Sequence, residues 1–171
     1  MATRARTLDD ILAREEIGDV IKRLARGTDR LDEEMIASCY HDGATDDHNW
    51  FRGTGAEFAR WVVETMTRWE ATMHFTGSPD ISLDGDVAYV DTYCVAHHIA
   101  TSKRDAPKKD MVLGLRYVDR LARRDGVWRI AERVCVFDFT YTVPYDPARS
   151  FRYEPGAVLG ARDRTDASYR A

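Results

Sequence analysis

No stretch of this chain approaches the roughly 20 consecutive apolar residues that a membrane helix needs. The first 30 residues are charged throughout and lack the apolar segment of a signal peptide. A membrane-spanning or secreted protein is therefore not expected, and a cytoplasmic one is. Cysteine is scarce too: Cys39, Cys94 and Cys135 are an odd number at wide spacings. That argues against a disulfide framework or paired zinc ligands and suits buried free thiols in a reducing compartment. Lysine is limited to Lys22, Lys103, Lys108 and Lys109, against 21 arginines, whose forks suit carboxylate pairing and surface networks. The positive excess from Lys103 to Arg133 alternates with Val, Leu, Tyr and Trp instead of forming a basic helix, so no nucleic-acid partner is expected.

Several catalytic signatures are absent as well. There is no glycine-rich phosphate loop, no dinucleotide-binding fingerprint, no Gly-x-Ser-x-Gly elbow and no His-Glu-x-x-His. No cofactor is implied, and chemistry must come from dispersed acids, histidines and arginines. Asp46 and His48 suggest a metal pair but have no third and fourth ligand at helical or strand spacing, so no metal is expected.

What is present suits one domain with an internal pocket. The 171 residues carry a net charge of −4 and are 44% hydrophobic, with 18 aromatic residues. A chain of this size buries roughly 70% of its unfolded surface. Thr7 and Asp10 form a capping-box variant, and Leu8, Ile11, Leu12, Ile17, Val20, Ile21 and Leu24 recur at helical spacing, which predicts a helix over 8–26 stopped by Gly27. Asp32, Glu33 and Glu34 open a short second helix that carries Met35, Ile36, Cys39 and Tyr40. The stretch from His41 to Gly55 is polar and turn-rich. A third helix follows, with Phe58, Trp61, Val62, Thr65, Met66 and Trp69 on one face.

The period then changes. Residues 71–76, 81–83, 87–100, 111–121 and 127–139 read as strands, with Asp84-Gly85 and Asp125-Gly126 as hairpin turns. Residues 101–110 read as an exposed loop. Helices first and hairpin-linked strands after predict an α+β fold: a curved mixed or antiparallel sheet wrapped around helices as a cone with an internal pocket. Residues 1–141 form the domain. Residues 142–171, with three prolines, two glycines and no periodicity, read as an extended tail, ordered where a neighbouring subunit supports it.

His74 sits in the short apolar run Met73-His74-Phe75 directly after an aromatic helix. An imidazole there needs a partner for each nitrogen, so it is either a satisfied core histidine or a functional one. Asp29 is either a loop or N-cap acid or the partner that fixes the His74 tautomer and stabilises its protonated form, which makes His74 a general base. Arg133 reads either as a functional cation or as half of an ion pair.

The chain resembles the SnoaL-like branch of the nuclear-transport-factor-like cone superfamily, which contains scytalone dehydratase and a hexachlorocyclohexane dehydrochlorinase. The likeness spans about residues 8–140. It rests on Thr28-Asp29 after the first helix, on Cys39-Tyr40-His41-Asp42-Gly43-Ala44 with Asp46-Asp47-His48, on Met73-His74-Phe75, and on Leu83 to Ala88. It continues through Thr92 to His98, Arg116 to Arg120 and Asp125 to Ile130. The resemblance implies that Asp29 and His74 are a catalytic dyad and that Arg133 assists them. It implies a second pocket histidine on the long strand, His97 or His98, with register favouring His97. Leu24 stands where relatives carry a pocket Tyr or Lys, and His48 gives a more polar rim. The implied substrate-contacting walls are Met66, Trp69, Tyr93, Leu113, Leu115, Tyr117, Cys135 and Phe137.

The expected activity is that of a cofactor-free lyase or isomerase (dehydratase, cyclase or dehydrohalogenase-like) acting on a hydrophobic oxygenated ring compound. The alternative is a non-catalytic small-molecule-binding or assembly module of the same fold, like the small subunit of ring dioxygenases. An apolar sheet back including Val134, Val136 and Cys94 leads to an expected homodimer or homotrimer.

Overall fold

A computed structural model of the protein describes residues 6–100, 108–144 and 153–169. Residues 101–107, most of the loop expected from the sequence, lie outside the described residues. Helices α1 (Leu8–Arg30) and α2 (Glu33–Ala37) come first, then strands β1 (Tyr40–Asp47) and β2 (Arg52–Thr54), then helix α3 (Gly55–Met66). Strands β3 (Trp69–Thr76), β4 (Asp80–Asp84), β5 (Val87–Ala100), β6 (Lys109–Arg124) and β7 (Val127–Pro144) follow. They form one seven-stranded mixed sheet in the order β2-β1-β7-β6-β5-β3, with β4 also on β5; only the β1–β7 pair is parallel. This is the α+β architecture that the change of period predicts.

The sheet bends where β7 carries one residue more than β6. Leu115 pairs with Phe137 and Gly114 with Phe139, leaving Asp138 as the extra residue, and a second irregularity falls between Arg120 and Leu121. Bulges of this kind increase local twist and bend the strand. The resulting concave face holds α1 and α3, whose apolar stripes (Ile17, Val20 and Leu24; Phe58, Ala59 and Val62) build the core with Tyr40, Leu121 and Ile130.

Helix α1 starts as expected, on a complete Thr7–Asp10 capping box, but Gly27 does not end it. The helix runs one turn further, to Arg30, and is closed by Leu31 in the left-handed conformation at φ 56°. Gly27 is there for close approach: a Cβ at this position would lie 2.8 Å from Cγ1 of Ile36. Asp29 is therefore a last-turn helix residue, not a loop acid. The polar stretch from His41 is also different from expectation, because most of it is strand β1. Its buried positions include His41, Ala44 and Asp46, so the usual apolar alternation of a strand is masked by inward-facing polar groups.

The hairpin at Asp125-Gly126 has both residues at positive φ (52° and 77°), as a type I′ turn demands. The other turn is centred one residue later than expected, on Gly85-Asp86. Strand β7 continues to Pro144, past the expected start of the tail. Residues 153–169 return to the same chain. Arg30 donates to the Ala161 carbonyl and pairs with Asp166, Tyr169 donates to Asp32, and Arg164 pairs with Glu34.

Candidate active site

The concave face and the helices enclose a cavity of about 400 Å³, lined mostly by apolar and aromatic side chains. Ile21 and Leu24 of α1 and Phe58, Trp61, Val62 and Met66 of α3 form one side. Trp69, Leu113, Leu115, Tyr117 and Phe137 of the sheet form the other. Its polar lining includes His48, His74, His98 and Arg133.

His74 and Asp29 meet directly. Nδ1 of His74 lies 2.8 Å from Oδ1 of Asp29, and the His74 backbone N–H donates to Oδ2 at 3.0 Å. The Thr72 hydroxyl donates to Oδ1 at 2.8 Å. A carboxylate at a helix C-terminus faces the negative end of the dipole, and these three donors offset that. Burial pushes the Asp29 carboxyl up, but the His74 side chain and the other donors outweigh it and hold the group below its ordinary 3.8. Because a carboxylate only accepts, Nδ1 of His74 carries the hydrogen of this contact, and Nε2 is the ring nitrogen turned away from Asp29. Nε2 has no protein partner among the described residues, and the ring lines the cavity.

Arg162, in the C-terminal segment, ties this corner together. Its guanidinium donates to the carbonyls of Asp29 (3.3 Å), Met66 (2.9 Å) and Trp69 (2.5 Å) and to the Thr72 hydroxyl (3.2 Å). One side chain thus joins the end of α1, the end of α3 and the start of β3.

The sequence places the histidine of the long strand incorrectly. Along β5 the even-numbered residues face inward, so His98, only 2% exposed, lines the cavity. His97 points to the opposite face, where it pairs with Asp110 at 2.7 Å. Tyr93 shares that outer face and is 67% exposed, so it is not a pocket wall. Cys135 faces inward but packs beneath the surface against Cys94, Leu115 and Tyr117 rather than lining the cavity. All three cysteines are buried and unpaired, and burial pushes their thiols up to about 11 (Cys39 and Cys94) and about 12 (Cys135).

His98 sits edge-on to His74, with ring centroids 5.4 Å apart, and its Nδ1 has no partner among the described residues. Burial, reinforced by the neighbouring His74, lowers His98 from 6.5 to about 4. The folded state therefore keeps His98 neutral, whereas the unfolded chain takes up a proton below about pH 6.5. Stability should fall by about 3 kcal/mol as the pH drops from 6.5 to 4. Asp29, depressed in the fold, adds a further loss as the pH drops below 3.8. Urea unfolding at pH 7 and pH 4.5 checks this: His98→Gln should shrink the difference, and an identical difference in the variant contradicts it.

At the other pole, Arg133 is 2% exposed and donates from Nε and Nη2 to Asp119, both at 2.7 Å. Its guanidinium lies 4.2 Å above the Tyr117 ring. The fork expected to reach a substrate is thus taken up by Asp119, and Arg133 supplies the cavity with fixed positive charge. Burial draws Arg133 down, but the adjacent Asp119 carboxylate prevails and holds it well above its ordinary value. Beside this pair, Nδ1 of His48 bonds to Asp46, which also accepts from the Tyr40 hydroxyl at 2.6 Å. His48 stacks on Phe58 with centroids 4.5 Å apart. No group of three or more potential metal ligands occurs among the described residues.

With this geometry in place, the sequence assigns the family. Residues 9–134 match the SnoaL-like domain, and the chain belongs to that family. No curated protein sequence matches it significantly. Solved structures with the same fold include LinA-type3 hexachlorocyclohexane dehydrochlorinase from Novosphingobium barchaimii: TM-score 0.71, 18% identity, 86% of this chain and 98% of that one. They also include a protein provisionally assigned as a scytalone dehydratase from Novosphingobium aromaticivorans (TM-score 0.67, 20% identity, covering 80% and 90%). The Kfla4162 protein from Kribbella flavida has TM-score 0.70 at 16% identity, covering 77% and 94%. At these identities the likeness concerns the fold. None of the described helices is long and apolar enough to cross a membrane.

Proposed function

We propose that the protein is a cofactor-free lyase or isomerase acting on a hydrophobic oxygenated ring compound, with His74 removing a carbon-bound proton. The observation that carries this reading is the 2.8 Å Asp29–His74 contact on an apolar cavity, with Nε2 of His74 unpartnered among the described residues. In the binding-module alternative, His74 is expected to be tied at both nitrogens or the cone to be filled, and neither holds among the described residues. Asp29 orients the ring and offsets the charge that it acquires. The excluded water of an apolar cavity strengthens both effects. Arg133 steadies the negative charge that develops on a substrate oxygen. A cytoplasmic setting and a small-molecule partner go with this reading.

The test is turnover of bicyclic hydroxy-ketones by the wild type and by His74→Ala and Asp29→Ala. Both variants are expected to lose turnover while keeping their circular dichroism; unchanged turnover in both refutes the assignment.

Assembly is part of the same reading. The outer sheet face exposes Met73, Phe75, Tyr93, Val95, Phe139 and Tyr141, whereas Cys94, first expected there, faces inward. A second or third copy covering this face gives a homodimer or homotrimer. Light scattering should then return two or three times the monomer mass, and a monomer at high concentration would contradict it.

A further inference from the structure

Asp29, Thr72 and His74 all fall within the SnoaL-like match at residues 9–134, whereas Arg162 lies outside it, on the C-terminal segment. The Asp29–His74 pair spans two elements, since Asp29 closes α1 and His74 sits in β3. Its 2.8 Å contact therefore depends on how the last turn of α1 is seated against that strand. Arg162 bridges the two. Its Nε donates to the Asp29 carbonyl on the α1 side, while Nη1 and Nη2 reach the Trp69 carbonyl and the Thr72 hydroxyl on β3. Thr72 and His74, two residues apart on a strand, share one face.

The Thr72 hydroxyl has a single hydrogen, and an arginine N–H only donates. Thr72 therefore accepts from Nη2 of Arg162 at 3.2 Å and turns its own hydrogen to Oδ1 of Asp29 at 2.8 Å. That oxygen is the one that meets Nδ1 of His74. Arg162 thus holds Asp29 twice, by its backbone directly and by its carboxylate through Thr72. The Asp29 and Met66 carbonyls also lie at the negative ends of α1 and α3, so a guanidinium between them offsets two dipoles that disfavour a carboxylate here.

The segment presents this side chain from a fixed turn. Asp166 accepts from the backbone N–H groups of Ala161 (2.9 Å) and Ser168 (3.0 Å) and pairs with Arg30. Arg26 donates to the Ser168 carbonyl at 2.8 Å and lies 4.7 Å over the Tyr169 ring. Neither Arg162 nor Thr72 lines the cavity.

We propose that Arg162 is a positioning residue for the Asp29–His74 pair, acting through Thr72, and that the C-terminal segment is thereby a working part of the site. The inference rests on the assignment of His74 as base.

Two measurements on the full chain test it. One is deuterium exchange from D2O into a bicyclic ketone with no leaving group. The other is the proton NMR resonance of the hydrogen between Asp29 and His74, which reads the pair whether or not it catalyses. Arg162→Met should lower the limiting exchange rate by on the order of 10²-fold, as expected for a displaced catalytic pair, and Thr72→Val should lower it too. The KM of the ketone should not change, and both substitutions should shift or broaden the resonance. The double variant should be no slower than Arg162→Met, because the two residues act in series. Arg162→Lys serves if Arg162→Met misfolds, since an ammonium cannot span α1 and β3 as the fork does. Exchange and resonance unchanged in the folded Arg162 variant overturn the inference. So does a loss confined to KM or to thermal stability, or losses that multiply in the double variant. A wild type that exchanges no deuterium refutes the base assignment, and the resonance then decides alone. Displaced in both variants it upholds the positioning role, and unmoved it overturns it.

Discussion

Asp119→Ala is expected to destabilise the protein by about 3–5 kcal/mol, the cost of leaving a buried charge without its partner. For a chain of this length that lowers the melting temperature by on the order of 10 °C. The reason is local. Arg133 is 2% exposed with Nε and Nη2 both on Asp119, and Nη1 has no partner among the described residues to replace them. Simple truncation removes the counter-charge but not the guanidinium, which the Tyr117 ring and the strand hold in place. The double variant Asp119→Leu/Arg133→Met should recover much of the loss, because an apolar pair avoids the desolvation of both ions. Denaturant midpoints for the three proteins test this. A loss below 1 kcal/mol for Asp119→Ala means that the pair is solvated, which the geometry does not allow.

Asp29→Asn carries the second large effect, and it falls on rate rather than folding. The amide can still fill the space between Thr72 and the His74 backbone, so the fold should survive. It cannot carry negative charge, and it can turn its NH2 toward Nδ1, which moves the ring hydrogen to Nε2. His74 would then present a donor where the reaction needs an acceptor. Turnover should drop roughly 10²–10⁴-fold with little change in the binding of an unreactive ring ketone. Equal rates for Asp29→Asn and the wild type mean that the carboxylate does not tune His74.

Much of the fold was legible because its signals are local. The Thr7 cap, the apolar stripe of α3 and the two Gly turns each depend on neighbours a few residues away. Strand β1 was not legible, since Asp46 looks like a loop residue until the parallel pairing with β7 sets Arg133 beside it and the Tyr40 hydroxyl of the same strand bonds to it. Gly27 looked like a helix stop because a glycine needed for contact with Ile36 is indistinguishable in sequence from one needed for a left-handed cap. The Asp29–His74 pair came from resemblance; spacing left the core reading of His74 open. His97 was preferred over His98 by register with Tyr93, and the register was right but the face was wrong: both residues point outward together. Arg162 carried no signal at all, lying among prolines and glycines that read as tail, and Thr72 and Asp46 matter only through the partners the fold gives them.

The central claim is that Nε2 of His74 takes a proton from carbon. A bicyclic ketone with no leaving group, incubated in D2O, tests this apart from any later step. The wild type should place deuterium on the carbon next to the carbonyl, roughly 10²–10⁴ times faster than His74→Gln, as read by mass spectrometry. If the ketone quenches Trp61 and Trp69 fluorescence on binding but exchanges no faster with the wild type than with His74→Gln, the account is wrong.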